Sequence, residues 1–118
     1  METGYPQAVA SLVAFADGTT SLYFSSGGGM LGAGTHESVR KASTLFLRLA
    51  NEHVARFAPA SDYPLPGKGR VRFYVHTFDG VVTAERDEQD LGHQRDPLWP
   101  VFHAGHAVIA AIREVSPP

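Results

Sequence analysis

The sequence predicts an α+β domain of two ββα units in tandem, forming an antiparallel sheet of four or five strands with two long helices on one face. Two observations carry this. Asp17-Gly18 and Asp79-Gly80 each sit between runs of alternating apolar and polar residues, as in tight hairpins. Each hairpin is then followed by apolar residues recurring at helical spacing. A chain of 118 residues suits a single domain, with one unit over 9–57, a crossover over 58–69 and a second unit over 70–115.

The first hairpin runs from Val9 to Phe24. With Ala16 opposite Thr19, Phe15 faces Thr20, Val13 faces Leu22 and Ser11 faces Phe24, which gives a core face and leaves Leu12, Ala14 and Tyr23 on the other side. Past a glycine-rich connection, Thr35 is the expected N-cap, Glu37 suits the first turn and Pro59 marks the stop. That places a helix over 36–57, with Val39, Ala42, Phe46, Leu49 and Ala50 on its apolar face. Pro59 to Gly69 holds three prolines and two glycines and reads as an irregular crossover.

In the second hairpin Val71, Phe73 and Val75 alternate with Arg72, Tyr74 and His76. With Ala84 opposite Val75, His76 pairs with Thr83 and Tyr74 with Glu85. The run Glu85 to Asp90 reads as a solvated connection. Asp96-Pro97 supplies a cap and a proline suited to the first helical position, Leu98 to Ile112 carries the apolar stripe, and Pro117-Pro118 ends the helix. The two Asp-Gly turns lie 62 residues apart, an offset that also carries Val39 onto Val101 and Ala42 onto Ala104. Spacing repeats more than identity does, as two similar building blocks or an old duplication would give.

Composition narrows the function. The chain is 43% hydrophobic and 19% charged, with a formal net charge of −2, so it offers no broad positive field for a nucleic-acid backbone. It has no cysteine, which excludes disulfides, Cys-ligated zinc, iron–sulfur clusters and thiol nucleophiles. No apolar run reaches the about 20 residues that span a bilayer, and the first residues lack the order of a signal peptide. The expected address is the cytoplasm, with neither membrane nor nucleic acid as a partner.

The order of hairpin, long helix, hairpin and final helix resembles the profilin-like and Roadblock/LC7-type domains, although a leading helix typical of Roadblock proteins is missing. The resemblance covers topology and carries no diagnostic motif. It implies a non-enzymatic dimer acting as a scaffold or as a regulator of small GTPases, and it transfers no functional residue.

Three sets of residues are candidates for chemistry. Gly27, Gly29 and Gly32 form a literal G-x-G-x-x-G, and with Gly34, Thr35 and His36 they lead from a strand into a helix, where backbone N–H groups suit an anion. The parallel βαβ context of a dinucleotide site is missing, so a structural turn or a smaller anion is the alternative. His93, His103 and His106 lie near one another, the last two at i, i+3, a pattern suited to a divalent metal or to an ordinary mixture of core-edge and surface histidines. Leu12, Tyr23, Tyr74, His76 and Phe78 make the outer sheet face more apolar than a wetted face, so a contact surface is expected there.

No catalytic constellation emerges, and no cofactor is expected. The leading expectation is a non-catalytic homodimeric interaction or regulatory module. The alternatives are a small-ligand or anion-binding protein, or an enzyme, using the loop 27–35, and a histidine metal site.

Overall fold

The computed structural model describes residues 1–30 and 32–115, so the expected Pro117-Pro118 stop lies outside the described residues. In chain order the elements are β1 (Glu2–Gly4), β2 (Val9–Ala14), β3 (Thr20–Phe24), β4 (Gly29–Met30), α1 (Glu37–Glu52), β5 (Ala58–Pro59), β6 (Arg70–Thr77), β7 (Gly80–Asp87), α2 (Glu88–Gly92) and α3 (Trp99–Val115). The fold is α+β, with one antiparallel sheet in the order β4-β3-β2-β1-β6-β7-β5.

The sheet therefore has seven strands and not four or five. The strand missing from the sequence reading is β1, and it is central. Thr3 pairs with Ala10 on one side and Val71 on the other, joining the two hairpins. Three residues are too few for alternation to show in the sequence. The other additions, β4 and β5, are two-residue edge strands.

Turn chemistry sets the faces. The Asp17 carboxylate accepts from Thr19 N at 2.9 Å, and Phe15 N donates to Thr19 O at 2.9 Å, leaving Ala16, Asp17 and Gly18 as a three-residue loop. Leu12 consequently opposes Leu22, and Ala14 opposes Thr20. This is a one-residue slip from the expected register, and it turns Leu12 inward while Ser11 and Val13 turn outward. In the second hairpin the Thr77 hydroxyl accepts from Asp79 N and donates to Gly80 O, so the turn closes early. Tyr74 then pairs with Thr83, Arg72 with Glu85 and His76 with Val81, a two-residue shift that keeps the expected faces.

The helices cover the face that carries Leu12, Leu22, Val71 and Phe73. Thr20 and Ser43, both buried, share a hydrogen bond of 2.7 Å between β3 and α1. Met1 fills the space over Gly105, where α3 has no side chain. The first helix ends at Glu52 and does not run to 57, because the chain tightens into a 3-10 turn over Val54–Arg56 before β5. The acidic run 85–90 is a strand end and a helix, not a loose connection. Asp87 caps α2 by accepting from Asp90 N. Asp96 accepts from Leu98 N at 2.9 Å and pairs with Arg86 at 3.0 Å, fixing the entry to α3, which starts at Trp99, two residues later than expected.

The opposite face is crossed by residues 60–68. The Tyr63 ring sits 5.4 Å from that of Tyr74, whose hydroxyl donates to Pro64 O at 2.9 Å. Further along, Gly69 N donates to Gly4 O at 2.9 Å. A Cβ on Gly4 would overlap the Gly67 carbonyl, so this crossing needs a glycine in β1. Part of the cover expected for the outer face is thus supplied by the chain's own crossover.

Candidate functional site

The C-terminal half of α3 projects His106, Ile109 and Arg113 from one side of the helix, as i, i+3 and i+7 spacing requires. This side lies over the ends of β2 and β3, beside β4. A recess of about 150 Å³ is lined there by Tyr5, Ala10, Leu22, Phe24, His106, Ile109 and Arg113. Next to it a second, of about 230 Å³, is lined by Leu22, Phe24, Gly29, Met30, Ile112 and Arg113. Leu22, Phe24 and Arg113 border both, so the two form one cleft with a polar end and an apolar end.

His106 is the most unusual group in it. Its Nε2 is buried and has no hydrogen-bond partner among the described residues. The ring meets that of Phe102 edge-on at 4.5 Å. Burial pulls its pKa below the ordinary histidine value, and His103 and Arg113 push the same way. The imidazole is therefore neutral near pH 7, with an unused hydrogen-bonding nitrogen.

The cleft's other polar groups are Tyr5 and Arg113. Burial raises the Tyr5 pKa, Glu88 raises it further, and Arg113 works against both. Glu88 is itself raised, by burial and by Asp87. None of the ion pairs among the described residues engages Arg113. Chemically, the cleft can take up an apolar body and offer a guanidinium, a phenol and an imidazole to its polar end.

The candidates singled out from sequence are scattered. Gly27, Gly28 and Gly29, with φ of 109°, 84° and 142°, make the tight reversal between β3 and β4, and Gly29 alone of the loop candidates borders the cleft. Gly34 packs against the Gly18–Thr20 turn. Thr35 donates weakly to Gly32 O, and Arg40 donates to the carbonyls of Gly34 and Thr35. Those carbonyls face a cation, the reverse of an anion cradle. His36, and not the expected Thr35, is the N-cap of α1, and its side chain makes no capping bond.

His93 and His103 are exposed, the latter edge-on to Trp99 and Phe102, and only His106 enters the cleft. Among the described residues no group of three or more His, Asp or Glu is placed to hold a metal ion. Of the outer-face candidates, Leu12 belongs to the core at 3% exposure, Tyr74 lies beneath Tyr63, and Tyr23, His76 and Phe78 are exposed. Tyr5 and Arg113 escaped the sequence reading. A lone cation one residue past Ile112, on the edge of an apolar stripe, was the available signal for Arg113.

Among the described residues no helix is long and apolar enough to cross a membrane. Compared with protein-family models, curated proteins and solved structures, the chain matches none.

Proposed function

We propose that this protein is a small-ligand-binding domain whose ligand enters the cleft between α3 and the ends of β2, β3 and β4. The observation that supports this most is the meeting of an apolar wall, Ala10, Leu22, Phe24 and Ile109, with three polar groups, Tyr5, His106 and Arg113, in one recess. An apolar wall with few convergent polar groups is the common form of a small-molecule site.

The test is a ¹H–¹⁵N titration with octanol, octanoate and indole as probes. Shifts confined to amides of Ala10, Leu22, Gly29 and Ile109 support the reading. No shifts, or shifts on the far face around Val13 and Tyr23, overturn it.

A second reading, association of two copies, rests on the part of the outer face that the crossover leaves open, where Tyr23 is 45% exposed. Sedimentation showing only monomer at high micromolar concentration overturns it.

A further inference from the structure

We infer that the cleft's ligand is a monocarboxylate with an aliphatic tail, its carboxylate on the Arg113 guanidinium at the end that His106 lines, and its tail against Leu22, Phe24 and Ile112. This rests on the ligand-binding reading above and adds the chemical class and the orientation.

Three features support it. Arg113 borders both recesses and takes part in no ion pair among the described residues, so an anion there meets an uncommitted cation. A guanidinium is a planar fork that matches a carboxylate, which fixes the ligand's direction as well as its charge. His106 lines the same end and, with its pKa lowered by burial, adds no second charge there near pH 7.

The polarity of the two recesses sets the orientation. Tyr5, His106 and Arg113 gather in the smaller recess, while the larger one has Leu22, Phe24, Met30 and Ile112 with Arg113 as its charged member. Glu88 stands close enough to Tyr5 to raise its pKa, and like charge therefore moves the carboxylate away from Tyr5 toward Arg113. The tail then follows the apolar wall.

Isothermal calorimetry with hexanoate, octanoate, octanol and octylamine tests this on the wild-type chain, Arg113→Gln and Arg113→Lys. Arg113 is exposed at the helix surface, so both variants are expected to fold, and far-UV circular dichroism checks that they do. The expected result is octanoate binding about tenfold tighter than octanol, with that preference lost in Arg113→Gln and mostly restored in Arg113→Lys. Each methylene from hexanoate to octanoate is expected to add about fourfold. Octanol binding as tightly as octanoate, or octylamine more tightly, overturns the carboxylate assignment while leaving the ligand site standing. Binding of none of the four overturns both.

Discussion

Replacing His106 with leucine is expected to stabilise the protein. The imidazole leaves Nε2 buried and unpaired, which costs about 1–3 kcal/mol. Leucine removes that atom and keeps an apolar side chain against Phe102. Set against the gain is the edge-on contact with Phe102 at 4.5 Å, worth about 0.5–1.5 kcal/mol. The balance is about 1 kcal/mol in favour of the variant, or about 4 °C in melting temperature.

The gap should also depend on pH. The folded pKa of His106 lies below its unfolded value, so the unfolded chain binds the proton more strongly. Wild type accordingly loses stability as pH falls through about 6.5 toward the folded pKa, and the leucine variant lacks this loss. Urea unfolding followed by far-UV circular dichroism near neutral pH and near pH 5 measures both effects. A variant less stable than wild type at neutral pH would refute the reasoning, because it would mean that the imidazole makes a structural bond. A gap that fails to widen in acid would refute it equally.

Three further outcomes are expected. Gly4→Ala, which drives a Cβ into the Gly67 carbonyl and strains the Gly69–Gly4 hydrogen bond, should lose about 2–4 kcal/mol in urea unfolding; Gly67→Ala, in open space, should change it by under about 0.5 kcal/mol, and equal effects would count against the crossover's placement. The Met1 amine donates to Leu12 O at 2.9 Å, and burial lowers its pKa from 8.0 to about 6. The folded amine holds its proton less tightly than the unfolded one, so the urea midpoint should rise from pH 6 to 8, by up to about 2–3 kcal/mol in stability; a flat profile argues against a buried amine. Thr20→Val strands the Ser43 hydroxyl and should cost about 1–3 kcal/mol, with Thr20→Val/Ser43→Ala recovering part of it; a double mutant with purely additive losses contradicts a direct bond.

The parts of the fold legible in the sequence are those written in long periodic segments. The paired hairpins, the two long helices and their apolar faces follow from alternation and helical spacing over many residues. What escaped depends on single contacts. Asp17 uses a side-chain oxygen to lengthen its turn by a residue and Thr77 to move its turn one residue back, and the first of these steps moved Leu12 from an expected contact surface into the core. β1 is too short to have a period, and its place at the sheet's centre comes from partners far along the chain.

The site was illegible for a related reason. The glycine run and the three histidines drew notice as local patterns, yet the cleft assembles Tyr5, then Phe24 and Gly29 of the β3–β4 hairpin, and His106 and Arg113 of α3, from three stretches far apart in the chain. The crossover's path over Tyr74 was likewise hidden, since a segment rich in proline and glycine has no amphipathic period to show which side it takes.

The most direct test of the central claim is an intermolecular nuclear Overhauser measurement on the protein with octanoate. The account predicts contacts from the aliphatic chain to the methyl groups of Leu22 and Ile112 and to the Phe24 ring, with the methylene next to the carboxylate nearest His106 and Arg113. Contacts to Val13 and Tyr23 on the far face, or none at saturating octanoate, would contradict it.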